Sequence, residues 1–253
     1  MKTTVQELDA HAQAYTQAFT HFDENVIVHI AYGQRIARQI VASGARRVLS
    51  LGVGHMEVAR PIVDLLRAGQ IDRYTVVDAA PTIMDGFRAS MAPLPQGLDL
   101  VLAFFESFEP EQPFDVIEAG FILEHVEDPG LILSRLRRFA APGACLHVAV
   151  PNARSMHRML GHHAGLLPDV FVLSDADRSL GHRRYFDVPK LTALALQCGW
   201  QVTHQAGLLL KPFTTGQLNQ LHLTAPVWQA LQTLAEGYPE ISNAFCLELT
   251  PCI

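Results

Sequence analysis

Apolar residues recur along this chain with two different periods. From about Asn25 to Ala42 they fall at helical spacing, as Val26, Ile27, Ile30, Ile36 and Ile40, so the stretch predicts a helix stopped by Ser43-Gly44. "RRVLSLGVG" follows as a short, nearly continuous apolar run, which predicts a buried strand. "MEVARPIVDLLRAG" returns to helical spacing and closes at Gly69, with Pro61 tolerable only in a first turn. "RYTVVDAAP" predicts a second strand ending at Asp78, "DLVLAFFE" a third and "FDVIEAGFIL" a fourth. "PGLILSRLRRFAAPGA" predicts a helix closed by Pro142-Gly143, and "CLHVAVPN" a fifth strand. "VPKLTALALQCGW" predicts one more helix, "QVTHQAGLLL" a sixth strand and "AFCLELT" the last.

Apolar strands alternating with helices predict βαβ units and a parallel sheet. Two stretches break the alternation. From Ala153 to Asp187 the chain is rich in His, Gly, Asp and Arg, which reads as a lid-like insertion over one edge of the sheet. Residues 211–242 read as a second, irregular helical insertion. The expected organisation is an N-terminal helical segment, 1–44, followed by an α/β domain over 45–253.

Composition narrows the possibilities. A chain of 253 residues with 49% hydrophobic content can build one sizeable core. No apolar run reaches membrane-spanning length, and the polar N-terminus has no apolar signal core. Cys145, Cys198, Cys246 and Cys252 are scattered and form no CxxC, as expected of free thiols in a reducing, cytoplasmic setting. The net charge is −6, and the lysines are Lys2, Lys190 and Lys211. That balance argues against nucleic acid, which demands a cationic face. The expected partner is a small molecule, with no nucleic acid, no membrane, and a homodimer left open.

In an open parallel sheet, ligands bind past the carboxyl ends of the strands. That edge carries Gly52 and Gly54 after strand one, Asp78 after strand two, and Glu106 and Ser107 after strand three. It also carries Glu118, Ala119 and Gly120 after strand four, and Pro151 and Asn152 after strand five. Glycines let a backbone turn tightly and approach a ligand closely. Asp78 is an acceptor-only carboxylate placed to take both hydroxyls of a ribose.

These segments together resemble class I S-adenosylmethionine-dependent methyltransferases, of the UbiE/UbiG-like small-molecule branch. The resemblance rests on "VLSLGVGHM", "YTVVD", "FDVIEAGFILEHVEDP", "RRFAAPGA", "LHVAVPN" and "GHRRYFDVPKLTALALQCGW", and covers roughly Ala42 to Gln205. It implies a Rossmann-like class I methyltransferase fold, a mostly parallel seven-stranded sheet flanked by helices, with S-adenosylmethionine as cofactor. It implies that Gly52 and Gly54 line the methionine and ribose, that Asp78 holds the ribose hydroxyls, and that Ala79 and Ala80 lie along the adenine. Glu106 and Ser107 would edge the adenine, and Ala119 and Gly120 would pass close to the sulfonium. Two positions depart from the pattern. Ser50, counted among the cofactor positions, stands where the family usually has Asp or Glu, and Met56 stands where a third glycine is usual. His55 is expected to be an exposed loop residue beside the site.

Four residues are candidates for the chemistry: His125 in "LEHV", Asn152, and His182 and Tyr185 in "GHRRYF". His125 could take a proton from a substrate hydroxyl or simply start a helix. "HRRYF" could serve the reaction or merely anchor the lid, its arginines pairing with Asp175, Asp177 or Asp187. Tyr32 could reach the pocket from the N-terminal helix and face a sulfonium. His157, His162, His163 and His182 match no tight metal-ligand spacing, so no metal is expected. The "[DN]PP[YF]" signature of nucleobase-directed enzymes is missing, with "EAGF" in its place. Three functions stay open: methyl transfer to a small-molecule acceptor; cyclisation of the cofactor's own aminobutyrate arm to azetidine-2-carboxylate, releasing methylthioadenosine; and a non-catalytic binding subunit.

Overall fold

The computed structural model describes residues 4–5 and 22–252. Most of the polar N-terminal stretch therefore lies outside the described residues. Helix α1 (Phe22–Ser43) buries Val28, Tyr32, Ile36 and Ile40, four residues apart on one face. Strand β1 (Arg47–Leu51), helix α2 (Met56–Arg67), β2 (Arg73–Asp78), α3 (Pro81–Ser90), β3 (Leu98–Leu102) and β4 (Phe114–Gly120) follow. Then come α4 (Pro129–Phe139), β5 (Ala140–Pro151), α5 (Met156–His163), α6 (Asp175–Ser179), α7 (Val188–Gln197) and β6 (Trp200–Leu208). Helices α8 (Thr215–Gln220) and α9 (Ala225–Ala235) precede the last strand, β7 (Ala244–Pro251).

The seven strands form one sheet in the order β3-β2-β1-β4-β5-β7-β6. β1 to β5 run parallel, and β7 is antiparallel to both β5 and β6. One core packs α1, α2 and α3 against one face, through Tyr32, Ile36, Ile62 and Phe87. The other packs α4 and α7 against the opposite face, through Leu133, Leu136, Leu191 and Trp200. The order reverses between β1 and β4, which places the ligand crevice at their carboxyl ends. Among the described residues no helix is long and apolar enough to cross a membrane.

Several element boundaries differ from the expectation. Strand β3 ends at Leu102, so Phe104–Ser107 form a turn past the sheet. Strand β4 ends at Gly120 because Phe121 adopts φ 58°, which breaks the extended path. The "AAPGA" after α4 belongs to β5, entered through a bulge opposite Phe114 and Val116. Insertions 153–187 and 211–242 each carry two short helices.

Pro61 sits in the second turn of α2, not the first. Proline has no N–H, so the Glu57 carbonyl loses its partner one turn on. Helix α1 fills that place with a glycine: a Cβ on Gly33 would stand 2.5 Å from Glu57 O and 2.9 Å from Val58 Cα. Both contacts are backbone and cannot swing away. Gly33→Ala should therefore lower stability by about 1–3 kcal/mol, the usual cost of overpacking. A denaturant titration showing an unchanged midpoint would contradict this close approach.

Candidate functional site

A cavity of about 1450 Å³ opens at the carboxyl ends of β1, β2 and β4 and runs under the 153–187 insertion. It exceeds the usual range for one small ligand, about 300–1,000 Å³, which leaves room for a cofactor and an acceptor together. Gly52 and Gly54 line it with φ 79° and φ 55°, the left-handed region that glycine enters freely. A Cβ on Gly54 would meet no atom within 4 Å, so open space lies over the loop. Asp78 ties two loops together. Its Oδ2 accepts from Val53 N at 3.0 Å and its Oδ1 from Ala80 N at 2.8 Å. A carboxylate only accepts, and Asp78 itself lines the cavity. Ala79, Ala80, Glu106 and Ser107 also line it, the last two from the turn after β3. The glycine cradle and the carboxylate beside it fit a nucleoside carrying an amino-acid arm.

Ser50 and Ala119 are placed differently from the expectation. Neither lines the cavity: Ala119 is buried in the core, and Ser50 Oγ lies 3.0 Å from Tyr74 Oη inside the sheet. The acid that faces the cavity is Glu118, paired in register with Ser50 on the neighbouring strand. The sequence places Glu118 at this edge but assigns it no role. Glu118 is 5% exposed, and its Oε1 accepts from Gly120 N at 2.6 Å. Gly120 lines the cavity, but its open side is filled by the Tyr32 ring, since a Cβ there would stand 2.3 Å from Tyr32 Cε1. Tyr32 does reach the pocket from α1 and donates to the His147 carbonyl at 3.1 Å.

Burial raises the Glu118 carboxyl from 4.5 to about 7, against hydrogen bonds from Gly120, Ser50 and Tyr32 that favour the anion. The folded state therefore holds this proton more tightly than the unfolded chain does. Its contribution to stability is present below about pH 4.5 and is lost as pH rises through about 7. Glu118→Gln stays neutral throughout. The melting temperature of Glu118→Gln relative to the parent should climb from pH 5 to pH 8, and a flat difference would refute a buried, titrating Glu118.

His55 is not exposed. It is 7% exposed, immediately precedes α2, and stacks on His29 with ring centroids 4.1 Å apart. Phe121 extends the stack, 4.6 Å from His29. Burial lowers both imidazoles, His29 to about 3, so this aromatic wall is neutral at physiological pH. Met56 packs half-buried against the core at the first position of α2, filling space where a third glycine would leave a void.

Opposite the glycine loop, the turn after β4 meets the insertion. Glu124, His125, His182 and Tyr185 all line the cavity there. The His125 and His182 rings meet edge to face, centroids 4.8 Å apart. Asp177 Oδ1 lies 3.4 Å from His182 Nδ1 and accepts from Tyr185 Oη at 2.9 Å. Burial pushes the Asp177 carboxyl up, but hydrogen bonds from His182, Ser174 and Tyr185 outweigh it and hold the group well below the usual carboxylate range. The Arg158 guanidinium lies over the Tyr185 ring at 4.2 Å and donates to the Val170 and Val172 carbonyls. Arg184 donates to the carbonyls of Leu123, Val126 and Glu127, and Arg183 lies 3.8 Å from Glu127. The arginines of "HRRYF" thus engage the turn after β4. Asp187 caps α7.

Asn152 does not suit the catalytic role expected of it. Its Nδ2 donates to the carbonyls of Pro239, Glu240 and Ser242, and its Oδ1 accepts from Arg154 N. That amide holds the approach to β7 and has no hydrogen left for a substrate. On the far wall, Lys211 Nζ donates to Glu24 Oε1 at 2.6 Å and to Thr215 Oγ1 at 2.8 Å. Thr215 in turn donates to Glu24 Oε2 at 2.6 Å, joining α1 to the second insertion.

A family model described as a methyltransferase domain matches residues 22–205. No curated protein matches the chain. Among solved structures, a Thermotoga maritima protein described as a possible histamine N-methyltransferase is 17% identical, with a TM-score of 0.66 over 98% of this chain and 100% of that one. A putative methyltransferase in complex with the Haloferax volcanii Trm112 activator is 14% identical, with a TM-score of 0.65 over 99% of this chain and 98% of that one. The [4+2]-cyclase SpnF is 16% identical, with a TM-score of 0.56 over 87% of this chain and 80% of that one. At these identities the structures establish the shared fold.

Proposed function

The chain belongs to the class I S-adenosylmethionine-dependent methyltransferases, and from this premise we propose that it methylates a small-molecule acceptor in the cavity beneath the 153–187 insertion. The observation that carries this reading is the juxtaposition in one cavity of a glycine cradle with Asp78 on one side and a His125–His182 pair on the other. S-adenosylmethionine, the cofactor, supplies a methyl group already activated by its sulfonium. The protein's work is then mainly positioning and exclusion of water.

Gly52, Gly54 and Asp78 would hold the nucleoside, with Ala79, Ala80, Glu106 and Ser107 around its base. Glu118 would supply the acid that Ser50 lacks, one strand over, and accept from the cofactor's ammonium. Tyr32 and Phe121 present aromatic walls, which suit a sulfonium. Across the cavity, His125 or His182 can take the proton of the acceptor's O–H or N–H. With Nδ1 of His182 facing Asp177, its Nε2 is the nitrogen left for that task. Tyr185, its hydroxyl held by Asp177, would position His182 and offer its ring to the acceptor. The insertion covers the cavity and would keep water from the reaction.

A second reading has one observation in its favour. With Ser50 in place of an acid, and a Glu118 that burial keeps partly protonated at neutral pH, the cofactor's amino nitrogen would be less firmly held as ammonium. A neutral amine there could attack its own Cγ carbon, forming the four-membered ring and expelling methylthioadenosine. Incubation of the purified protein with S-adenosylmethionine alone separates the readings. Methyl transfer predicts no methylthioadenosine, and S-adenosylhomocysteine only when an acceptor is added. Steady release of methylthioadenosine from the cofactor alone would replace it with cyclisation. Tight binding with no product on any acceptor would favour a non-catalytic subunit.

A further inference from the structure

We propose that Glu124, His125 and His182 form a divalent transition-metal site on the acceptor side of the cavity. One ligand atom from each of the three residues lies within 4.8 Å of the others. They come from two segments far apart in sequence, the turn after β4 and the insertion, and converge only in the fold. Zinc ligands at about 2.0–2.1 Å from the ion stand roughly 3.3 Å apart in a tetrahedron, so small side-chain rotations close this set.

A second observation points the same way. Glu124 is 1% exposed, lines the cavity, and neither carboxylate oxygen has a hydrogen-bond partner. A buried carboxylate in that condition costs several kcal/mol unless it takes up a proton or a cation or donor compensates it. The neighbouring Arg184 does not fill the need, because its guanidinium donates to the carbonyls of Leu123, Val126 and Glu127. Two imidazoles facing the same carboxylate are poor partners for an ammonium but good ones for a borderline ion. The surroundings also resemble those of a metal ligand. Asp177 lies behind His182, 3.4 Å from Nδ1, as carboxylates do when they orient a ligating histidine.

Two imidazoles and one carboxylate match Zn²⁺ most closely, with Fe²⁺ and Co²⁺ also accommodated. Three protein ligands leave at least one position open toward the cavity, which fits an acceptor hydroxyl. The inference rests on the proposed methyl transfer only for this last point. A hydroxyl bound to the ion would lose its proton to water and remain as a metal-held alkoxide or phenolate. His125 and His182 would then be ligands, and neither would serve as the base. The ligands lie in "LEHV" and "GHRRYF", and spacing along the chain could not join them.

The test uses tag-free protein stripped with chelator and titrated with Zn²⁺ by calorimetry, with Co²⁺ absorption as an independent readout. One ion per chain at micromolar affinity or tighter is expected, with tetrahedral d–d bands for Co²⁺. Glu124→Gln and His182→Gln should each weaken binding at least tenfold. Asp177→Asn, which alters the carboxylate behind His182 without removing a ligand, should weaken it less. Circular dichroism on each variant separates lost binding from lost folding. S-adenosylhomocysteine affinity on the same samples separates failure of this site from failure of the methyltransferase reading. Absence of stoichiometric binding at 100 times the protein concentration, or variants that bind as the parent does, would overturn the site. So would a thiolate charge-transfer band in the Co²⁺ spectrum.

Discussion

Asp78→Ala should weaken S-adenosylhomocysteine binding by about 1.5–3 kcal/mol, roughly ten- to a hundred-fold in Kd. The figure is that of hydrogen bonds to a charged acceptor, here from ribose hydroxyls. The structure adds a second route to the same loss. Asp78 also accepts from Val53 N and Ala80 N, so its removal frees the glycine loop as well as the ribose. Asp78→Asn discriminates between the routes. Its side-chain oxygen can keep one backbone bond, but its amide offers a donor where the second hydroxyl needs an acceptor. Both variants should therefore lose affinity by calorimetry, with Asn the milder. Unchanged affinity in Asp78→Ala would remove the carboxylate from the cofactor site.

Glu24→Ala should destabilise the protein by about 3–5 kcal/mol, the usual cost of stranding one member of a buried ion pair. Lys211 and Glu24 are each 5% exposed, and Thr215 completes their ring of hydrogen bonds. Without Glu24 the ammonium keeps one uncharged partner in a site that water barely reaches. The double replacement Glu24→Leu with Lys211→Met should recover most of the loss, because apolar side chains of similar volume need no partner. Denaturant titration of the three proteins checks both halves. A loss below about 1 kcal/mol for Glu24→Ala would mean that solvent reaches the pair and that α1 does not depend on it.

What the sequence revealed follows from how local each feature is. Gly52, Gly54 and Asp78 were legible because a strand end, a left-handed turn and an acid lie within a short run whose geometry is set locally. The seven strands were legible because their apolar runs are bounded by glycine, proline or acid. Glu118 was visible at the same edge, but its role was not. An acid inside "FDVIEAG" is a signal in itself, because a parallel strand covered on both faces rarely carries an uncompensated charge. Ser50 reads as a cofactor position by alignment with a family pattern, yet its side chain lies inside the sheet against Tyr74. Asn152 stands at the right strand end, but its partners, Pro239 to Ser242, come from a loop that no local pattern ties to it. His55 looked exposed because its neighbours are glycine and methionine, and its burial comes from His29 on another helix. The link between Glu24 and Lys211 is longer still, and nothing in either segment announces it.

A crystal structure with S-adenosylhomocysteine bound tests the central claim most directly. The account predicts the ribose hydroxyls within hydrogen-bond distance of Asp78, the amino-acid arm over Gly52 and Gly54 with its ammonium toward Glu118, and the sulfur facing the His125–His182 side of the cavity. A ligand lodged elsewhere, or one in this cavity with no contact to Asp78 and its sulfur turned away from those histidines, would contradict it.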